Sequence, residues 1–406
     1  MFDVNEIRKD FPMLVNHPEL IYFDNGATSL KPKCVIDAVN DFYMHHTSNV
    51  HRGDYAIAAQ NDALYDETRK QVAKLINCNP DEVVYTHNVS QSMNQIAYGM
   101  GHDFLKAGDT VLISKVEHAS NILPWFHLEQ EHGIKVRYIP TDDEGNISIE
   151  EFEKCFDETV KAVSVAEVTN VLGSVQPVKQ MCRIAHEHGA YMIVDGAQSV
   201  PHMAVDVRDL DIDFMGFSAH KMCGPGGVGI LYGKKELLEK MTPMLYGGDM
   251  NARFYSNGEV ILKDVPIKFE AGTPNIEGVI GTGEACRYLM QVGMDNIHQY
   301  EMELRAYFCE QLSKLDNIVI YNKDNLSGPI DFNVKDVFAQ DAASYLASKN
   351  IAVRSGNHCA KLLHEVIGTD QTLRASLYFY NTKEEVDRFV KEAANITIEN
   401  AIGIFF

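Results

Sequence analysis

The sequence predicts an α/β fold: a mainly parallel sheet flanked by helices, followed by a smaller α+β domain. Short unbroken apolar runs alternate with amphipathic segments through the middle of the chain, as strands covered on both faces require. The pattern changes after about residue 290. The chain's 406 residues also exceed what a single core usually holds.

In chain order, a helix at Gln91–Met100 precedes strands at Thr110–Ser114, Lys135–Ile139, Ala162–Ala166, Tyr191–Val194, Phe214–Phe217 and Gly227–Tyr232. Further helices are predicted near Ile122–His132, Ile149–Cys155 and Val178–His188, the last closed by Gly189 as a C-cap. Beyond residue 290, a long helix over Met294–Leu315 leads into short strands at Ile318–Tyr321, Pro329–Val334 and Leu373–Tyr378. Helices at Asp341–Lys349 and Thr382–Ala394 flank them. The expected division is 20–290 as the large domain, with 1–19 and 291–406 forming the small one. The apolar end Ile402–Phe406 is too short to span a membrane; docking on a neighbour and fraying both fit it.

Lys and Arg number 36 against 57 Asp and Glu, a net charge of −21. That balance disfavours nucleic acid and anionic membranes as partners. No apolar stretch is long enough for a transmembrane helix, and the charged start lacks a secretory h-region, so a cytoplasmic protein is expected. The eight cysteines show no CxxC pair or regular spacing, which fits reduced thiols better than a disulfide frame or a metal site.

The strongest local signal is Ser218-Ala-His-Lys-Met-Cys-Gly-Pro-Gly-Gly227, after a predicted strand. A lysine at a strand end beside small residues can be desolvated, which lowers its pKa and frees the amine to attack an aldehyde. On its own, Lys221 also reads as an ordinary turn lysine. Asp195 ends the preceding strand and opens Asp195-Gly-Ala-Gln198, placing a carboxylate where open α/β sheets bind ligands. Alone it reads equally as a helix cap; the two strand ends together point to a pyridine-type cofactor held between amine and carboxylate. Tyr85-Thr-His-Asn-Val-Ser90 runs into the Gln91–Met100 helix, a phosphate seat built from backbone N–H groups and the helix dipole. Ser90 adds a hydroxyl there, a role compatible with plain N-capping. His118, in Glu117-His118-Ala119 after a strand, is placed to lie over a planar ring or to be a core histidine.

Together these motifs resemble the fold-type I pyridoxal 5′-phosphate (PLP) enzymes, and within them the class V aminotransferase-like family of cysteine desulfurases and selenocysteine lyases. The likeness runs from Tyr22-Phe-Asp-Asn-Gly-Ala-Thr28 to Tyr380-Asn-Thr382. Arg354-Ser-Gly-Asn-His-Cys-Ala360, Arg374-Ala-Ser376 and Tyr380-Asn-Thr382 make it most similar to the group II, Suf-type desulfurases. The resemblance implies a seven-stranded-type sheet and a small domain carrying a catalytic cysteine loop. It implies that Lys221 holds PLP and shuttles the Cα proton, Asp195 pairs with the pyridinium, Gln198 contacts the ring oxygen and His118 stacks on the ring. Ser90, Ser218 and His220 would hold the phosphate, with Thr273 reaching it from the partner subunit of a homodimer. Arg374 would clamp the substrate carboxylate, assisted by Asn170 and Arg354. The family's phosphate loop usually reads Gly-Thr-Thr where this chain has Asn88-Val89-Ser90, so Val89 offers only its backbone. The family's histidine at position 357 is asparagine here, and Asn357 receives no role.

Cys359 sits in a short loop after the predicted strand Ile351–Val353 and before the segment Lys361–Val366. A nearby helix N-terminus, His358 and Arg354 are each expected to favour its thiolate. The resemblance makes that thiolate attack the sulfur of L-cysteine, leaving a persulfide and alanine, with delivery to a small Suf-type acceptor protein for uses such as iron–sulfur assembly. Selenocysteine lyase, a class V aminotransferase or epimerase, and a silent PLP-binding scaffold are the other readings. The intact Lys221–Asp195 pair argues against the scaffold.

Overall fold

The structure is a computed structural model describing residues 2–403; the apolar tail at 404–406 lies outside the described residues. A seven-stranded sheet organises the larger part. Its strands are β1 (Val83–Thr86), β2 (Thr110–Ser114), β3 (Lys135–Ile139), β4 (Val160–Ala166), β5 (Tyr191–Asp195), β6 (Phe214–Ser218) and β7 (Gly229–Gly233), in spatial order β1-β7-β6-β5-β4-β2-β3. Six run in one direction; β7 is antiparallel to both its neighbours. One reversed strand among seven keeps the sheet mainly parallel, as the sequence predicts, and the strand read at Gly227–Tyr232 is that one. The link from β6 to β7 is one 3₁₀ turn and a short glycine-rich return, too short for the crossover a parallel strand needs.

The central strands β2, β5, β6 and β7 are buried almost throughout, as strands sandwiched between helices must be. One face packs Leu112, Val163, Val165, Met192, Val194, Met215 and Phe217 against Met181 and Ile184 of the helix Val178–Glu187. The other packs Val111, Ile113, Ile193 and Phe214 against Met93 and Ile96 of the helix Val89–Gly99 and Trp125 of Leu123–His132. At about 25 cal/mol per Å² of buried apolar surface, this two-sided burial supplies the main driving force for the fold.

The smaller part is an antiparallel sheet in the order β8-β9-β11-β10, comprising β8 (Ile318–Ile320), β9 (Ile330–Val334), β10 (Arg354–Gly356) and β11 (Thr372–Ala375). Helices Met294–Leu312, Ala339–Ser348 and Lys383–Ala393 cover it, around a core that includes Phe308, Phe332 and Phe389. Ile21 and Phe23 also pack in this core, and Ile21–Tyr22 pairs with Ile351–Ala352, whereas Phe11 packs with the larger core. The strand expected at Leu373–Tyr378 ends at Ala375. Beyond it the Ser376 N–H donates to the Phe23 carbonyl and the Tyr378 N–H to the Asn381 side chain, so these two donors are turned away from the ladder.

Candidate active site

The C-terminal ends of the six co-directional strands open toward the small sheet, the edge where open α/β sheets bind ligands. Four of those ends supply residues to the site: Asn88–Ser90 after β1, His118 and Ser120 after β2, Asn170 after β4, and Ser218, His220 and Lys221 at the end of β6. With β10, β11 and the Cys359 turn they enclose a cavity of about 230 Å³ lined by Val89, Ser90, His118, Asn170, Ser218, His220, Lys221, Arg354, Cys359 and Arg374. With His358, which also lines it, eleven of the residues singled out in the sequence meet at one place.

Asn88 is extended and caps the helix Val89–Gly99, its side chain accepting from the Gln91 N–H at 3.0 Å. The Val89 N–H donates to Ser218 Oγ at 2.8 Å, tying the helix start to the end of β6. Such a terminus carries about half a positive charge, so an anion is stabilised without a lysine. Gly229 must lack a side chain for this junction to form, because a Cβ there would sit 2.5 Å from the Asn88 backbone. Ser90 Oγ lies 2.6 Å from Ser120 Oγ, which lies 3.1 Å from His118 Nδ1. That nitrogen also accepts the Ser120 N–H, so the proton of the neutral ring is on Nε2. Burial first, then Lys221 and two arginines, hold His118 down to about 4, a neutral ring suited to stacking.

Lys221 ends a single 3₁₀ turn, and the carbonyl of its neighbour His220 accepts from the Ser29 N–H and Lys31 Nζ. Burial above all, with Arg374 and Arg354, lowers the Lys221 amine to about 8 against the pull of Asp195. Asp195 is 4% exposed and accepts the Ala197 N–H at 2.9 Å; burial raises its carboxyl while that bond and Lys221 lower it. Asp195 and Gln198 do not line the cavity. Gln198 Nε2 instead donates to the Gly26 carbonyl at 3.0 Å, bracing the Gly26–Ala27 wall.

Arg374 is 2% exposed. Its Nη1 donates to the Asn170 carbonyl at 2.8 Å, Nη2 stands 3.6 Å from the Asp24 carboxylate, and Nε has no partner among the described residues. A buried guanidinium so sparsely paired keeps donors for an incoming carboxylate. Arg354, directly opposite Arg374 in the β10–β11 pairing, is exposed at the cavity mouth.

Cys359 is the exposed thiol of the eight; the others are buried or half-buried, and burial raises Cys223 and Cys286 to about 12. His358 and Cys359 both occupy left-handed backbone, with φ of 50° and 58°, at a cost of roughly 1–3 kcal/mol each. Two bonds pin the turn to loops of the seven-stranded sheet. Asn170 Nδ2 donates to the His358 carbonyl at 2.8 Å, and the Ala119 N–H to the Cys359 carbonyl at 2.7 Å. The sequence expects His358 to favour the thiolate; burial above all holds its ring down to about 3, so it adds no cation beside the thiol. The helix beyond, His364–Ile367, is a single turn separated from Cys359 by a 3₁₀ segment, so its dipole is remote and slight.

Thr273 stands apart, in a second depression with Tyr85, Thr86, Glu270 and Asn275. Gly26, Ala27, Asn88 and Ser120 line the main cavity without having been singled out. The Asn-Gly-Ala run at 25–27 and the two-residue step from His118 to Ser120 were the available signals.

Comparison with known proteins agrees with this geometry. The family model described as aminotransferase class-V matches residues 21–389. A probable cysteine desulfurase of Halalkalibacterium halodurans is 42% identical over 96% of this chain and 97% of its own. A cysteine desulfurase of Haloferax volcanii is 41% identical over 96% and 95%. Among solved structures, the apo cysteine desulfurase of Thermococcus onnurineus superposes with a TM-score of 0.92 at 39% identity, covering 96% of this chain and 97% of that one. The cysteine desulfurase CsdA of Escherichia coli gives 0.91 at 33% identity, covering 100% and 99%. A match of this extent, on a sheet edge carrying these residues, places the chain in the class V aminotransferase family.

Proposed function

We propose that this chain is a PLP-dependent cysteine desulfurase, converting L-cysteine to L-alanine with the sulfur left as a persulfide on Cys359. The observation that carries the reading is the meeting of a deprotonatable lysine, a sparsely paired arginine and an exposed thiol in one cavity. The full-length likeness to desulfurases supports it.

The residues fit the cofactor. The helix start at Val89 and Ser90, with Ser218 and His220, suits a phosphate, neutral His118 suits a ring face, and Asp195 supplies a carboxylate behind Lys221. Bound there, PLP supplies an electron sink for the substrate Cα. Lys221, held near neutrality by burial, binds the cofactor and moves the Cα proton. Arg374 binds the substrate carboxylate with Asn170 and Arg354 beside it, fixing which substrate bond faces Lys221. Cys359 Sγ then attacks the substrate sulfur. An S–S bond forms, the C–S bond breaks, and its electron pair stays on carbon, which takes up protons to become alanine.

Two features of the assembly belong to the same reading. Thr273 lies outside this chain's own cavity, so its contact with phosphate requires a second copy and a homodimer. The Cys359 turn is pinned at two carbonyls, so a sulfur-accepting protein comes to the cavity mouth rather than the cysteine swinging out. Aminotransfer or epimerisation needs no thiol in the cleft, and the position of Cys359 favours desulfuration over both. The test is incubation of the holoenzyme with L-cysteine and, separately, L-selenocysteine. Alanine from cysteine supports the reading; alanine from selenocysteine alone identifies a selenocysteine lyase.

A further inference from the structure

Beneath the Cys359 turn lies a buried carboxyl that the reaction does not use. Asp331 on β9 has no solvent exposure, and its Oδ2 has no partner among the described residues. An acid in such a place is costly unless it holds something. What it holds is the Thr372 hydroxyl, which donates to Asp331 Oδ1 at 2.6 Å. With its hydrogen committed, Thr372 Oγ1 is left an acceptor, and it lies 3.1 Å from His358 Nε2. The Thr372 carbonyl, which can only accept, lies 3.2 Å from the same nitrogen. Both neighbours therefore require the proton on Nε2. His358 Nδ1 is buried without a partner among the described residues, so Nε2 alone anchors the ring.

We propose that Asp331 and Thr372 are positioning residues for sulfur transfer, a relay that grips His358 and so holds the left-handed turn presenting Cys359 to the substrate. The geometry suits the task. Asp331 faces Arg374 across the β9–β11 pairing, so one strand pair sets the carboxylate clamp and the anchor of the thiol turn. The turn is then fixed from two sides, by Asn170 and Ala119 of the large domain and by Thr372 of the small sheet. Burial keeps His358 neutral, so the grip does not depend on its charge.

The kinetic arm of the test rests on the desulfurase reading; hydrogen exchange does not. In the holoenzyme, Thr372→Val removes the hydroxyl, Thr372→Ser keeps it, and Asp331→Ala frees its hydrogen to turn toward Nε2. The relay predicts exchange at residues 357–360 faster by about tenfold in Thr372→Val and Asp331→Ala, the scale of one buried hydrogen bond. It predicts a kcat for alanine formation lower by about tenfold in both, with affinity for L-alanine, which occupies the clamp but has no sulfur, unchanged in Thr372→Val. Thr372→Ser restores both. Exchange and kcat at wild-type values in Thr372→Val overturn the relay, as does a Thr372→Ser protein no better than Thr372→Val. Should Thr372→Val fail to fold, the comparison of Asp331→Ala with wild type decides by the same two readouts. A wild type that makes no alanine sinks the desulfurase reading, and exchange still judges the relay.

Discussion

Burial gives Lys221 and Arg374 the properties that the proposed reaction asks of them. An amine at about 8 rather than 10.5 is largely neutral in mild alkali. The neutral amine is the nucleophile, so capture of a small aldehyde by Lys221 in the apoprotein should speed up as pH rises through about 8 and level off above. Stopped-flow absorbance on mixing reads this directly; a rate still climbing near pH 10 would mean that burial does not tune the lysine. Lys221→Ala should abolish alanine formation, since no neighbouring group replaces it at the cavity wall. Arg374→Ala should weaken cysteine binding by roughly 2–5 kcal/mol, the cost of removing one partner of a buried charge pair. An unchanged KM in that variant removes Arg374 from the carboxylate site.

At the scale of elements, the candidate site is a property of strand ends. The places of Lys221, Asp195 and the helix start at Val89 were legible because each follows an apolar run closely, and a parallel sheet brings such ends together. The direction of β7 was not, because an apolar run has no polarity of its own; only the brevity of the Ser218–Gly229 connection reveals it. The low pKa of His358 was hidden too. It arises first from burial and then from Arg374 on β11, neither of which the local sequence discloses, with Arg354 four residues earlier adding to it. Two predictions belong here. Asn88→Ala should destabilise the helix Val89–Gly99 by about 1 kcal/mol, the usual value of an N-cap, and loosen phosphate binding with it. Calorimetry with and without inorganic phosphate checks both; equal phosphate affinity would separate the cap from the seat. Asn170→Ala should release the His358 carbonyl and raise hydrogen exchange at the cysteine turn, leaving exchange in β5 as it was.

For the whole molecule, two sheets close on one cavity, and contacts join the segments around it. Gly26 packs against Arg374, Ala119 holds Cys359, and Gln198 holds Gly26. No described helix is long and apolar enough to cross a membrane. Exposed Tyr43, Met44, Tyr55 and Ile57, with Phe254 and Val260 of the hairpin Asn251–Leu262, provide apolar surface of the sort a second copy covers. Sedimentation equilibrium should therefore return a dimer, and Thr273→Ala should lower PLP affinity only in that dimer. The most direct measurement remains mass spectrometry of Cys359 after one turnover of the holoenzyme with L-cysteine, beside Cys359→Ala. A wild-type protein carrying one added sulfur on Cys359, with equimolar alanine, and a variant that binds cysteine without releasing alanine are the predicted results. Undiminished alanine from Cys359→Ala would contradict the assignment of the thiol and with it the proposed reaction.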